Sequence, residues 1–206
     1  MSKDRPGVSA GPGLPGGSGV SDVPRGPGAE TMDPAALADL IRKRIRDVPD
    51  YPQPGISFKD ITPMLADGPL FVAVVDELAN GRRPVDKVAG IEARGFILAA
   101  PVATRLGAGF VPVRKVGKLP AATYTQDYQL EYGTATIEVH TDAFEPGDRV
   151  LIVDDVLATG GTALATAELV RRAGAEVTGV AVLLELAFLR GRPKLGDISF
   201  RALLTV

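Results

Sequence analysis

No cysteine and no tryptophan occur among the 206 residues, and there is a single histidine, His140. The absence of cysteine excludes disulfides, thiolate nucleophiles and zinc–thiolate sites. One imidazole argues against a multi-histidine metal site and against a serine–histidine–aspartate triad. Basic residues are not in excess: 23 Lys and Arg stand against 25 Asp and Glu, for a net charge of −2. That balance argues against a chain devoted to a nucleic-acid backbone, but it does not exclude a small phosphorylated ligand held by a local cluster. No run of about 18 apolar residues is present, so nothing reads as a membrane span. No basic stretch leads into an apolar segment near the N-terminus, so no secretion signal is read. The expectation is a soluble cytoplasmic protein with one globular domain, 45% hydrophobic and large enough for a sizeable core.

Residues 1–31 differ from the rest. They hold 13 of the 41 glycines and prolines, among them Gly11-Pro12-Gly13 and Pro15-Gly16-Gly17. A segment with so few apolar anchors does not bury enough surface to offset its ordering entropy, so 1–31 is expected to be a disordered tail and 32–206 the folded domain. The tail reads as a dispensable extension, as sequence upstream of a true start at Met32, or as a partner-binding arm.

The body opens with Asp33-Pro34, an N-cap followed by proline at the first helical position. Leu37, Leu40, Ile41, Ile45 and Val48 then recur at helical spacing. Residues 49–63 hold four prolines, which excludes a helix interior or a central strand. An apolar loop of this length, carrying Ile56, Phe58 and Ile61, reads as a cap over something. A helix follows over 70–78. Beyond it, short apolar strands alternate with helices: strand 87–91, helix 96–106, strand 109–113, strand 134–140, strand 149–153, helix 161–173 and strand 177–184. Such alternation predicts a mostly parallel sheet covered on both faces, with ligands at the C-terminal strand ends.

The strongest local signal is Val150-Leu151-Ile152-Val153-Asp154-Asp155-Val156-Leu157-Ala158-Thr159-Gly160-Gly161-Thr162. Two carboxylates emerge from a buried strand. Two glycines then let the backbone curl, and hydroxyls at Thr159 and Thr162 flank a helix N-terminus. Free amides, hydroxyls and the positive end of a helix make an anion cradle suited to phosphate. The carboxylates would repel phosphate, but they suit sugar hydroxyls and, through water, a hard cation. The pattern reads as a ribose 5-phosphate site. It is neither a Walker A loop, since no lysine follows the glycines, nor G-x-G-x-x-G.

At these residues the chain resembles the type I phosphoribosyltransferases. Four further blocks narrow the resemblance to the adenine phosphoribosyltransferases, in that family's order: Phe58-Lys59-Asp60-Ile61-Thr62-Pro63, Glu92-Ala93-Arg94-Gly95-Phe96, Arg114 to Pro120, and Leu130-Glu131-Tyr132-Gly133. The resemblance covers about residue 35 to the C-terminus. It implies the type I fold, a central mostly parallel sheet flanked by helices, with an N-terminal hood and a flexible catalytic loop over 116–133. It also implies a homodimer converting adenine and 5-phosphoribosyl 1-diphosphate to AMP and pyrophosphate with Mg²⁺. By the same resemblance, Ala158, Thr159, Gly160, Gly161 and Thr162 cradle the 5-phosphate, and Asp154 and Asp155 hold the ribose hydroxyls. Arg94, Arg114, Lys115 and Lys118 meet the pyrophosphate. Ser57, Phe58, Lys59 and Leu186 receive the adenine, Glu131 stabilises or takes its ring proton, and Tyr132 stacks or donates a hydrogen bond, with Arg94 as a further catalytic group. The metal has no dedicated ligand set and is reached through diphosphate, water and Asp154 and Asp155. The family counterpart of the 92–94 turn holds a non-proline cis peptide.

Two alternatives compete. One is a phosphoribosyltransferase for xanthine, hypoxanthine or guanine, which the cradle alone does not distinguish. The other is a purine-responsive DNA-binding regulator of the same fold, but one helix before residue 49 supplies no DNA-binding domain. Neither nucleic acid nor membrane is expected as a partner.

Overall fold

The computed structural model describes residues 32–81, 84–129 and 133–206. All of these fall in the unit Thr31–Val206. The tail expected over 1–31 lies outside the described residues, as do Glu131 and Tyr132.

Helix α1 spans Pro34–Arg44, capped by Asp33, whose carboxylate accepts from the Ala36 amide at 3.1 Å. Leu37 and Ile41 are buried. The helical spacing runs on through Ile45 and Val48, yet the helix stops at Arg44, and Arg46–Val48 forms strand β1. Ile45 is already extended, at φ −82° and ψ 133°, and Pro49 keeps its predecessor Val48 out of the helical region as well. Strand β2, Phe58–Asp60, pairs antiparallel with β1. The proline-rich stretch is therefore not wholly loop. It holds one strand of a two-stranded ribbon, and its end forms the one-turn helix α2, Thr62–Leu65. Helix α3, Gly68–Ala79, follows.

The main sheet is built from β3 (Lys87–Ile91), helix α4 (Arg94–Leu106), β4 (Gly109–Lys115), β5 (Thr123–Gln129), β6 (Thr134–His140), β7 (Arg149–Leu157), helix α5 (Gly161–Arg172), β8 (Glu176–Glu185) and β9 (Phe200–Thr205). The strand order is β5-β6-β4-β3-β7-β8-β9. Strands β4, β3, β7, β8 and β9 run parallel, and β5 and β6 are antiparallel additions at one edge. The period of two sorts the central strands between two cores. Leu151, Val153, Ala181 and Leu183 pack with the helices α1 to α4, while Val150, Ile152, Val180 and Val182 pack with α5. Both faces are covered, so these strands read as unbroken apolar runs. Each fully buried Leu, Ile or Val contributes roughly 1.5–3 kcal/mol relative to exposure.

Two strands differ from expectation. The stretch 123–129, read as part of a long loop, is strand β5, paired with β6 from Thr123↔His140 to Gln129↔Thr134. Tyr124 and Tyr128 face the second core, while Thr125, Asp127 and Gln129 are exposed. That is a period-2 pattern in β-favouring residues, masked by polar composition. Strand β9 was not anticipated, because its partly buried edge carries no clean alternation.

Strand β3 hands over through α4 to β4 on one side, and β7 hands over through α5 to β8 on the other. The strand order therefore reverses between β3 and β7. In doubly wound sheets the crevice at the C-terminal ends of strands flanking such a reversal is where ligands bind.

Candidate active site

Strand β7 feeds directly into the turn Ala158–Gly160, and α5 begins at Gly161. Gly160 stands at φ +79°, a left-handed conformation that side chains resist. Within α5 the first intrahelical acceptor is the Gly160 carbonyl, which takes the Leu164 amide at 3.0 Å. The amides of Gly161, Thr162 and Ala163 precede that bond and have no helical acceptor. No side chain caps this N-terminus. Free amides at the positive end of a twelve-residue helix are the features on which the sequence reading of an anion cradle rests. The β5–β6 hairpin closes one flank. A Cβ added at Gly161 would stand 2.8 Å from the Gln129 carbonyl oxygen and 3.3 Å from the Tyr128 ring. Arg172 of α5 holds the hairpin in place, lying over the Tyr124 ring at 5.2 Å and donating to the Thr125 carbonyl at 3.3 Å.

Asp154 and Asp155 lie on the last turn of buried strand before the cradle. The Asp154 Oδ1 accepts the Asp155 amide at 2.9 Å. The start of α4 presses on it, since a Cβ at Gly95 would stand 2.7 Å from the same oxygen. Burial, and then the neighbouring Asp155 charge, push the Asp154 carboxyl well above the usual carboxylate range. Burial raises Asp155 too, against the opposing pull of Arg94. The Arg94 Nη2 stands 2.8 Å from the Asp155 Oδ2.

Arg94 joins two parts of the crevice. It opens α4 immediately after the Glu92–Ala93 peptide, which is cis, as the resemblance implied. Beyond this ion pair it donates from Nη1 to the Lys59 carbonyl at 3.3 Å, and its guanidinium lies 4.7 Å above the Phe58 ring. Tyr51 meets Phe58 edge-on at 5.3 Å. Phe58 is therefore not plain core: it is partly buried under a cation at the crevice edge. The Lys59 ammonium turns away to Asp47 at 2.5 Å, and Ser57 is exposed. Leu186 is partly buried at the end of β8, its amide donating to the Leu157 carbonyl at 2.9 Å.

The basic group gathers at the end of β4. Arg114 donates to the Glu92 carboxylate at 3.1 Å and to the Lys118 carbonyl at 3.1 Å, and the Lys115 amide also reaches Glu92. Burial alone would raise the Glu92 carboxyl, but the Arg114 and Lys115 bonds outweigh it and hold it below its usual range. The Lys115 and Lys118 side chains are exposed. Glu138 of β6 is buried, and its carboxylate accepts the Lys118 and Leu119 amides at 2.8 and 2.9 Å and the Thr123 hydroxyl at 3.2 Å.

The structure thus brings Arg94, Asp155, Phe58 and Lys59 into contact, with Asp154 and the cradle following along the chain. It places Arg114, Lys115 and Lys118 as a second group tied to the Glu92 turn. Glu131 and Tyr132 receive no position. Sequence reasoning missed Tyr51, Glu92 and Glu138. Each acts through a partner distant in sequence, and only the misfit of a charged Glu138 between Ile137 and Val139 gave a signal. Among the described residues no group of three or more His, Asp or Glu side chains gathers into a metal site. No described helix is long and apolar enough to cross a membrane.

Comparison with known proteins agrees with this geometry. Residues 62–198 match the phosphoribosyl transferase domain family. The adenine phosphoribosyltransferase of Thermobifida fusca is 61% identical over 172 residues, covering 82% of this chain and 98% of the relative. The crystal structure of the adenine phosphoribosyltransferase from Rhodothermus marinus superposes with a TM-score of 0.80 at 53% identity, over 84% of this chain and 99% of that one. The enzyme from Saccharomyces cerevisiae, complexed with an imino-altritol bisphosphate and adenine, gives 0.76 at 36% identity over 82% and 99%. A shared domain family, extensive identity and near-complete coverage of these relatives agree: the chain belongs to the adenine phosphoribosyltransferases.

Proposed function

We propose that this chain joins adenine to 5-phosphoribosyl 1-diphosphate at the β3–β7 crevice, releasing AMP and pyrophosphate. The observation that carries the reading is the uncapped N-terminus of α5, which follows closely on the partly buried Asp154 and the buried Asp155 at the reversal of strand order. A phosphate site adjoining acceptor-only groups suits a phosphorylated sugar and little else.

In the reaction, a purine ring nitrogen forms a bond to the anomeric carbon as the bond from that carbon to pyrophosphate breaks. The nitrogen then loses its proton. Positioning and charge neutralisation carry most of such a displacement. Residues 158–162 hold the 5-phosphate, and Asp154 and Asp155 hold the ribose hydroxyls, their charge favouring the cationic sugar. Arg94 stands between the sugar and base subsites, bound to Asp155 on one side and lying over Phe58 on the other. There, with Arg114, Lys115 and Lys118, it offsets the departing diphosphate. Phe58 stacks on the adenine, Leu186 packs on it, and the main chain of Ser57 and Lys59 reads its edge. Glu131 and Tyr132 handle the ring proton.

The donor set fits a hard divalent cation. The adjacent carboxylates of the partly buried Asp154 and the buried Asp155 are oxygen donors of the kind that suits Mg²⁺ held mainly by diphosphate and water. When bound, Mg²⁺ supplies charge neutralisation on the diphosphate. The family relationship supports a cytoplasmic homodimer.

Adenine is expected to exceed hypoxanthine, guanine, xanthine and uracil in kcat/KM by at least about 10²-fold. Donor and acceptor exchange when an exocyclic amine becomes an oxo group, leaving the pocket's polar edges unpaired. A steady-state assay of the five bases tests this, and comparable turnover of an oxopurine would overturn the adenine assignment. Removing residues 1–31 should leave kcat/KM within about twofold, since a glycine- and proline-rich segment makes few ordered contacts. A larger drop would assign the tail to the site or to a subunit contact.

A further inference from the structure

The cradle turn is held from behind by a part of the chain that none of the roles above uses. Gly191 runs directly against it. A Cβ at Gly191 would stand 2.2 Å from the Ala158 carbonyl oxygen and 2.9 Å from the Gly160 nitrogen. The converse holds as well, since a Cβ at Gly160 would stand 2.6 Å from the Gly191 carbonyl oxygen. Two main chains therefore touch with no side chain between them, and each glycine is required by the other. The cradle's curvature depends on where Gly191 sits.

Arg192 fixes that position. Its guanidinium forks onto the Glu185 carboxylate, Nε to Oε1 at 3.0 Å and Nη2 to Oε2 at 2.7 Å. It also lies 4.7 Å over the Phe200 ring. Glu185 is only 6% exposed, and its Oε2 accepts the Thr205 hydroxyl at 3.2 Å. Glu185 ends β8, and its register partner is Leu157, the residue before the cradle turn. The connection is closed: β7 carries the cradle, its neighbour β8 carries Glu185, Glu185 grips Arg192, and Gly191 presses back on the cradle. A two-point fork sets an orientation that a single ammonium contact does not.

We infer that Gly191 and the Glu185–Arg192 pair are positioning residues that set the cradle's conformation for the 5-phosphate of the sugar substrate. The inference rests on the reading of residues 158–162 as that phosphate's site.

The test compares Arg192→Gln, Arg192→Lys and Gly191→Ala in the full chain, with Thr162→Val as a variant of the cradle itself. Ribose 5-phosphate is titrated calorimetrically, and KM for each substrate, kcat and Tm are recorded. Displacement of a binding loop by a fraction of an ångström to 1 Å is costly, up to about 10²-fold. Arg192→Gln and Gly191→Ala should therefore weaken ribose 5-phosphate binding and raise KM for the diphosphate substrate about tenfold or more. KM for adenine should stay within about twofold, and Arg192→Lys, which keeps charge but not the fork, should fall between. If Gly191→Ala does not fold, Arg192→Gln decides, because it adds no atom at the glycine contact. Wild-type ribose 5-phosphate binding in Arg192→Gln, with binding lost in Thr162→Val, would overturn the positioning role while leaving the cradle. Equal losses for both substrates that follow Tm would overturn it as well. Wild-type binding in Thr162→Val would instead remove the cradle reading.

Discussion

Replacing Glu131 with leucine is expected to lower single-turnover AMP formation by roughly 10²–10⁴-fold, the range that loss of a general acid or base gives. Glu131 belongs to the four-residue connection between β5 and β6, whose flanking residues Gln129 and Thr134 are register partners. The chain enters that connection beside the cradle, with the Gln129 carbonyl against Gly161. Glu131→Gln separates two chemistries. If Glu131 transfers the proton, glutamine fails as badly as leucine. If it only stabilises a ring proton, glutamine retains much of the rate, because its carbonyl oxygen still accepts a hydrogen bond. Circular dichroism of each variant comes first, so that misfolding is not read as lost chemistry. Wild-type single-turnover rates in Glu131→Leu would remove the residue from the mechanism and leave positioning and charge neutralisation as the whole account.

Asp154→Asn should pull stability and activity in opposite directions. One lost charge-assisted hydrogen bond is worth roughly 1.5–3 kcal/mol, so KM or turnover with the diphosphate substrate should worsen roughly tenfold to a hundredfold or more. Adenine affinity should hold. The folded-state proton affinity of Asp154 is raised by burial and by Asp155. Protonation of this group therefore favours the fold fully below the usual carboxyl value of 3.8, and that contribution is lost as pH rises through the raised folded value. The cost of holding this acid in the fold therefore grows as pH rises, and asparagine, which does not titrate, removes it. Thermal melts of the ligand-free protein should show a higher Tm for Asp154→Asn, with the gain larger at pH 8 than at pH 5. A lowered Tm with an unchanged KM for the sugar substrate would reverse both assignments.

How much of this was readable beforehand follows from the range of the interactions. Strands β3 and β6 match their sequence bounds because apolar runs and alternation are local. The cradle was legible for the same reason: Asp154 to Thr162 sit within nine residues, and their chemistry needs no distant partner to be recognised. The early helix ran too long in the sequence because spacing through Val48 says nothing of the pairing with β2. Strand β5 was hidden by its polar face. The links from Arg94 to Phe58, from Glu92 to Arg114 and from Glu185 to Arg192 depend on which loops meet. That is decided by sheet order, and the residues themselves carry no mark of it.

The buried Glu138 carboxylate has a consequence for how the enzyme meets its substrate. It gathers the amides of Lys118 and Leu119 and the hydroxyl of Thr123 as a bound anion would, and these bonds hold its proton affinity low although burial alone would raise it. The protein thus carries an internal surrogate for an anion in the connection between β4 and β5. Fixing a residue's backbone costs roughly 1–2 kcal/mol, and for the residues tied to Glu138 the fold itself meets that cost. A ligand arriving at the neighbouring Arg114 group would find that part of the main chain already set.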